Sequence, residues 1–139
     1  MNGNKLRLYR LFKERIKAED YVVQNMPRNY RQLLSKLRCD TLPIAVETGR
    51  YEGKLLNDRV CKFCDSGAVE DEVHIMMNCQ MYDDLQHELF QDMQSADNTF
   101  NIQPVFTQFL TIMSDKSCQY KLAKYLSYVL KRRRLHEHF

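Results

Sequence analysis

The chain has 139 residues, of which 44% are hydrophobic, and a formal net charge of +3. This length suits one domain with a modest core, and we expect a single helical domain over residues 1–139. No apolar run reaches the roughly 18 residues of a membrane span, and the N-terminus lacks the apolar core of a secretory signal. We therefore expect an intracellular protein, of the nucleus or cytoplasm, with no membrane contact.

Charge is distributed unevenly along the chain. Residues 1–40 carry a net +6, residues 41–100 a net −8 and residues 101–139 a net +5. Basic ends around an acidic middle predict that any nucleic-acid contact uses the ends. The same asymmetry would also let the segments dock on each other, so both interpretations stay open.

Two amphipathic helices are predicted before the acidic middle. The first spans some fifteen residues, with a stripe formed by Leu8, Leu11, Phe12 and Ile16. The second opens at Pro27 and carries a stripe formed by Tyr30, Leu33, Leu34 and Leu37. Pro43, Gly49 and Gly53 then predict a loop over residues 40–58.

Three further helices are predicted after residue 79. The first of these carries Tyr82, Leu85, Leu89 and Met93, and a polar break follows at Ser95–Thr99. The next opens at Pro104 and carries Val105, Phe106, Phe109, Leu110 and Met113. The last is capped by Ser114 or Asp115 and buries Leu122, Tyr125, Leu126 and Val129. Without sustained period-two alternation, the fold is predicted to be mainly α, with about five helices.

The central feature is a zinc-binding segment at residues 59–80. It has the pattern Cys61-x2-Cys64-x9-His74-x4-Cys79. Three thiolates and one imidazole suit a single tetrahedral, structural Zn2+, so the helices are predicted to surround a Cys-Cys-His-Cys zinc-pinned turn. His87 is an alternative fourth ligand.

The acidic run at 70–72 suits the first turn of a helix that bears His74. Cys79 comes five residues after His74, beyond the three- or four-residue spacing of one helix face. The chain must therefore leave helical geometry near Asn78.

Catalytic motifs are not evident. The four glycines are scattered, which excludes a phosphate-binding loop or a dinucleotide fingerprint, and four protein ligands leave a zinc ion no open position. Met81-Tyr82-Asp83-Asp84 has paired aspartates like those of a polymerase, but its tyrosine is one place late. We expect no enzyme activity and no small-molecule substrate.

The candidate phosphate contacts lie on the second and last helices. They are Arg28, Arg31, Lys36, Arg38, Lys121, Lys124, Lys131 and Arg132. The alternative is that these side chains are only the solvated faces of amphipathic helices. Tyr9, Tyr30, Tyr120 and Tyr128 are candidates for base stacking or, alternatively, for packing at the edge of the core.

The region from Leu33 to Asp84 resembles the zinc-binding region at the C-terminal end of reverse transcriptases from invertebrate non-LTR retrotransposons. The matching features are Lys36-Leu37-Arg38, Leu42-Pro43, Glu47, Gly49-Arg50-Tyr51, Arg59, the four metal ligands, Glu70-Asp71-Glu72 and Tyr82. They cover about half of the chain, and the segments at 9–21 and 122–133 fit those that usually flank this region.

This resemblance implies a module that handles template RNA or target DNA, alone or beside the polymerase portion of a retrotransposon protein. The chain lacks polymerase and endonuclease domains, so the resemblance implies a stand-alone fragment or a domesticated remnant. Ile75 stands where the family usually has an aromatic residue.

Two further hypotheses concern the metal site and its use. Arg50 or Arg59 is predicted to pair with Glu70 or Glu72, fastening the preceding loop to the zinc site. The alternative function is a zinc-stabilised protein–protein interaction module whose amphipathic helices bind a partner chain and no nucleic acid.

Overall fold

The computed structural model describes residues 26–137, so the helix predicted around Leu8 and Ile16 lies outside the described residues. Five α-helices occur in this range: α1 (Arg28–Arg38), α2 (Ala45–Tyr51), α3 (Asp83–Ala96), α4 (Val105–Ser114) and α5 (Gln119–Glu137). Between residues 26 and 137 the only β-type pairing is an isolated bridge between Val60 and Val69. The prediction of a mainly α fold is confirmed.

Helix α1 begins directly after Pro27, as predicted. Proline has no backbone N–H to leave unpaired, and its fixed φ suits the start of a helix. Leu34 and Leu37 are fully buried, whereas Tyr30 and Leu33 pack against the edge of the core.

Helix α2 corrects the prediction of a loop over residues 40–58. Its first backbone amides are held by a distant residue: Ala45 N donates to Glu70 Oε1 at 2.7 Å, and Val46 N donates to Glu70 O at 3.0 Å. Gly49 suits its place inside this helix because a Cβ there would lie 2.5 Å from Cγ of Arg59. Tertiary contacts therefore outweigh the local helix-breaking signals of this segment.

Helices α3, α4 and α5 confirm the three predictions made for the C-terminal half. Pro104 directly precedes α4, and the Asp115 side chain accepts a hydrogen bond from Ser117 N at 2.8 Å in the short 3₁₀ turn that leads into α5. The stripe predicted for α4 is narrower than expected, because Val105 and Phe106 are about half exposed.

Helix α5 is the centre of the core. It packs against α1, α3 and α4, and its buried apolar residues are Leu122, Ala123, Tyr125, Leu126 and Val129. Burying a large apolar side chain contributes about 1.5–3 kcal/mol, so this helix holds the others in place. None of the described helices has both the length and the apolarity needed to cross a membrane.

Candidate metal centre

The four predicted ligands come together in space. The ligand atoms of Cys61, Cys64, His74 and Cys79 all lie within 4.8 Å of one another. Cys61 Sγ is 3.9 Å from Cys79 Sγ, and Cys64 Sγ is 3.5 Å from His74 Nε2. No disulfide joins any of the described cysteines. Three sulfurs and one imidazole nitrogen at these separations form a cluster that can hold a metal ion.

Cys61 and Cys64 lie on a short loop closed by backbone pairing. Cys61 N donates to Ala68 O and Glu70 N donates to Arg59 O, each at 2.9 Å, and Gly67 makes the intervening turn with φ +70°. Phe63 N points at Cys61 Sγ from 3.4 Å. A backbone amide aimed at the sulfur favours the thiolate form that metal binding requires.

His74 and Cys79 lie at the two ends of a π-helical turn, His74–Asn78. Cys79 N donates to His74 O at 2.8 Å, a hydrogen bond over five residues, and Cys79 itself is extended. The wider turn brings residues five apart to the same side, which an α-helix does not do. The prediction that the chain leaves helical geometry near Asn78 is confirmed, and the π turn is the means.

Backbone carbonyl groups in and next to the π turn accept hydrogen bonds from side chains of other helices. Ile75 O accepts hydrogen bonds from the buried hydroxyl of Tyr125 on α5 and from Gln86 Nε2 on α3. Gln86 Nε2 also donates to Cys79 O at 3.1 Å. Buried carbonyls left without a partner would be costly, so these two side chains stabilise the geometry that presents His74 and Cys79.

The three acidic residues at 70–72 do not share one helical turn. Asp71 caps the helical turn, since its Oδ1 accepts a hydrogen bond from His74 N at 2.9 Å. Glu70 is not in that turn, contrary to the prediction. It lies in the extended segment before the turn and is almost fully buried, at 1% exposure. Glu72 is buried at the start of the turn.

Glu70 is joined to α5 by a buried ion pair with Arg133, whose Nη1 donates to Glu70 Oε2. The same oxygen lies 3.6 Å from Cys61 Sγ. Arg133 Nη2 also donates to Pro43 O, and its guanidinium lies 4.6 Å from the centre of the Phe63 ring. One arginine therefore fastens α5 to both the metal-binding loop and the approach to α2, and its positive charge lets a carboxylate lie next to a metal-binding thiolate.

The predicted pairing of Arg50 or Arg59 with Glu70 or Glu72 is wrong: Arg133 pairs with Glu70, and the two predicted arginines have other partners. Arg50 pairs instead with Glu47, one helical turn away. Arg59 donates to the carbonyl oxygens of Val46 and Lys54, at 2.9 and 2.8 Å. Arg59 does fasten α2 to the metal-binding segment, but through backbone carbonyls rather than through a carboxylate.

Burial changes the pKa values of the four side chains in the cluster. It raises the pKa of Cys61 to about 12 and also raises the pKa of Cys79. Burial also lowers the pKa of His74, an effect that Glu70 and Asp71 oppose. Burial pushes the pKa of Cys64 upward, but hydrogen bonds with Ser66, Cys61 and Cys79 together outweigh it and the pKa is lowered. Apart from that last thiol, the site disfavours charge unless a cation is bound.

His87, the alternative ligand, is not in the cluster. It is exposed on α3, where its Nε2 lies 3.1 Å from Gln91 Nε2. His74, and not His87, therefore belongs to the cluster that can hold a metal ion.

The eight predicted phosphate contacts differ in exposure. Five of them are exposed: Arg28, Lys36, Lys121, Lys124 and Lys131. Arg31 is half-buried, and Arg132 donates to both oxygens of Asp84 and to Met81 O. Arg38 is buried and donates to Gln119 Oε1 at 3.0 Å, so its predicted exposure to phosphate is wrong.

Sequence reasoning missed Arg133, Gln86 and the role of the Tyr125 hydroxyl. Arg133 stands within a basic run, yet it continues the buried three- and four-residue spacing of Leu126 and Val129. That periodicity was the available signal. Nothing local marks Gln86, because its partner carbonyls lie outside its own helix.

No family model matches the chain, and comparisons with curated proteins and with solved structures return no significant similarity.

Proposed function

We propose that the chain is a non-catalytic zinc-binding module that engages RNA or DNA through basic helices flanking a structural zinc site. The observation that carries the proposal is the cluster of three sulfurs and one imidazole. In a tetrahedral site with Zn–S bonds of about 2.3 Å, sulfurs are about 3.8 Å apart. The separation of 3.9 Å between the sulfurs of Cys61 and Cys79 fits that geometry.

The role of the zinc ion is structural. Four protein ligands complete its coordination, so no position remains for a reacting water molecule. When bound, zinc supplies the positive charge that stabilises the buried thiolates of Cys61 and Cys79. A reducing intracellular compartment suits this site, because its thiols must stay reduced.

Nucleic-acid binding is supported by the placement of the exposed cations. Helices α1 and α5 pack together, and the rings of Tyr30 and Tyr120 meet edge to face at 5.2 Å. Arg28 lies in the same turn of α1 as Tyr30, and Lys121 lies in the same turn of α5 as Tyr120. Cations on adjacent helices can follow a phosphate backbone, which supplies affinity without sequence specificity.

The resemblance to the C-terminal zinc-binding region of non-LTR retrotransposon reverse transcriptases supports the same proposal. The four ligands and Arg59 belong to the features that carry it. We propose that the module derives from such a protein and that its partners are RNA, DNA or the polymerase portion of an element.

The test combines metal content with binding as a function of salt. We expect one zinc ion per chain, and binding to mixed-sequence RNA or DNA that weakens steeply between about 50 and 200 mM salt. Replacing Lys124 and Lys131 together by glutamine should reduce the salt slope by roughly 0.7–0.9 for each phosphate that is no longer neutralised. Lys54→Gln is the control, because that exposed lysine lies outside both basic helices.

A protein–protein interaction module is the second candidate, favoured by exposed apolar side chains at and just before the start of α4. Ile102 is 83% exposed, and Val105 and Phe106 follow it at the start of α4. Absence of nucleic-acid binding at low salt, together with a defined oligomer that Phe106→Ser dissociates, would favour this function over the first.

A further inference from the structure

We propose that the groove between α3 and α5 receives unpaired bases, and that the module therefore prefers single-stranded nucleic acid to duplex. This inference rests on the proposed function and adds the class of nucleic acid. The groove encloses about 250 Å³. Two exposed tyrosines on α5, Tyr120 and Tyr128, line it.

The two rings are placed for stacking along a strand. They are eight residues apart on one helix, which corresponds to about 12 Å along its axis. Each ring is nearly half exposed, at 47% for Tyr120 and 46% for Tyr128, and Tyr120 also meets Tyr30 edge to face. Aromatic rings presented in this way stack on bases of any type.

Lysines lie between the two rings. Lys121 and Lys124 line the groove, and Lys124 Nζ lies 6.0 Å from the centre of the Tyr128 ring. An ammonium group beside a ring allows one nucleotide to place its base on the tyrosine and its phosphate on the lysine. A surface made only for duplex phosphates would need the charges but not the exposed rings.

The opposite wall of the groove, formed by α3, is acidic. It contributes the carboxylates of Glu88 and Asp92, and Asp92 lies 3.6 Å from Lys121 Nζ. Carboxylates repel a phosphate backbone but accept hydrogen bonds from the amino group of cytosine. The wall therefore favours entry of a base edge and disfavours entry of the backbone, which again selects an unpaired nucleotide.

The experiment compares a labelled 20-nucleotide oligocytidine with a duplex of the same length, using zinc-loaded protein at fixed low salt. We expect tighter binding of the single strand. Tyr120→Leu and Tyr128→Leu should each weaken oligocytidine binding about tenfold, since stacking contributes about 1–3 kcal/mol per base. The affinity for the duplex, and the slope with which binding weakens as salt rises, should both stay within about twofold of the wild-type values, because no cation is removed.

The control is Tyr51→Leu, which changes another tyrosine, 75% exposed, away from the groove. Zinc content and helical circular dichroism establish that each variant is folded. If the wild type binds oligocytidine and both tyrosine variants bind it equally well, the groove inference is overturned and the proposed function stands. If the wild type binds neither nucleic acid at low salt, both fail.

Discussion

The candidate metal-binding segment at 59–80 and helix α5 lie side by side but are held by different forces. The segment has little regular structure, and its buried side chains include Cys61, Glu70 and His74. Helix α5 buries a nearly continuous apolar stripe, interrupted by Gln119 at its start and Arg133 near its end. Polar groups are costly to bury unless each has a partner, whereas apolar groups are stabilised by burial itself. The segment therefore depends on a few specific partners, and the helix depends on many equivalent ones.

The two regions nevertheless share one core. Ile75 and Met76 of the π turn are fully buried, as are Leu126 and Val129 of α5. Loss of the metal should consequently spread beyond the segment that binds it.

The largest expected effect comes from Cys64→Ser. Apparent zinc binding at structural sites amounts to about 10–16 kcal/mol, comparable with the whole net stability of a small domain. We expect a largely unfolded or aggregating protein without stoichiometric zinc, as measured by metal analysis and thermal unfolding. Cys39→Ser is the control, since Cys39 lies outside the cluster. A native-like melt for Cys64→Ser would show that α5 and its neighbours fold without the metal site.

Arg133→Met is expected to have the next largest effect, because it breaks the link between the two regions. Leaving the carboxylate of Glu70 buried and unpaired should destabilise the zinc-loaded protein by about 3–5 kcal/mol in denaturant unfolding. Arg134→Met, which changes the exposed neighbouring residue, should alter stability by less than about 0.5 kcal/mol.

A double variant separates the two contributions of Arg133, which are its charge beside Glu70 and its packing on Phe63. Adding Glu70→Gln to Arg133→Met removes the buried charge and leaves an amide oxygen that can still accept from Ala45 N. It should recover part of the lost stability. No recovery would mean that Arg133 acts mainly by packing on Phe63.

Tyr125→Phe tests how much α5 supports the π turn. The change removes the hydroxyl that donates to Ile75 O and keeps the ring, so we expect a loss of about 1 kcal/mol and weaker zinc retention against a chelator. Tyr128→Phe removes an exposed hydroxyl from the same helix and should be neutral within about 0.5 kcal/mol. Equal behaviour of the two variants would contradict a role for α5 in shaping the π turn.

The smallest expected effect concerns the exposed contact between α5 and α3. A hydrogen bond from Arg132 lowers the pKa of Asp84 from its ordinary 3.8 to about 2. Because the folded pKa is the lower one, the pair stabilises the protein above about pH 4, and this stabilisation is lost as the pH falls from there toward 2. The Asp84 side chain is 66% exposed, so Asp84→Asn should cost less than about 1 kcal/mol.

The measurement for Asp84→Asn is denaturant unfolding at pH 6.5 and pH 5. We expect the same small difference from the wild type at both values, because both lie above the ordinary pKa of the carboxyl group. A difference that disappears between these two pH values would identify another titrating group as its source.

The sequence by itself determined the four members of the Cys/His cluster, the helical class and the three C-terminal helices. These rest on local signals, namely ligand spacing, apolar periodicity and helix-starting residues such as Pro104 and Asp115. The need to leave helical geometry near Asn78 followed from the spacing between His74 and Cys79.

Only the tertiary structure decided the partners of the buried polar groups. Helix α2 forms although it contains Gly49, a residue that disfavours helix. It does so because Glu70, 25 residues after Ala45, accepts hydrogen bonds from the first amides of the helix. Arg133 and Tyr125 reach the metal-binding segment across 63 and 50 residues of chain. Local patterns report which side chains are apolar, but a hydrogen bond or an ion pair is specified only when folding brings two distant groups within about 3 Å of each other.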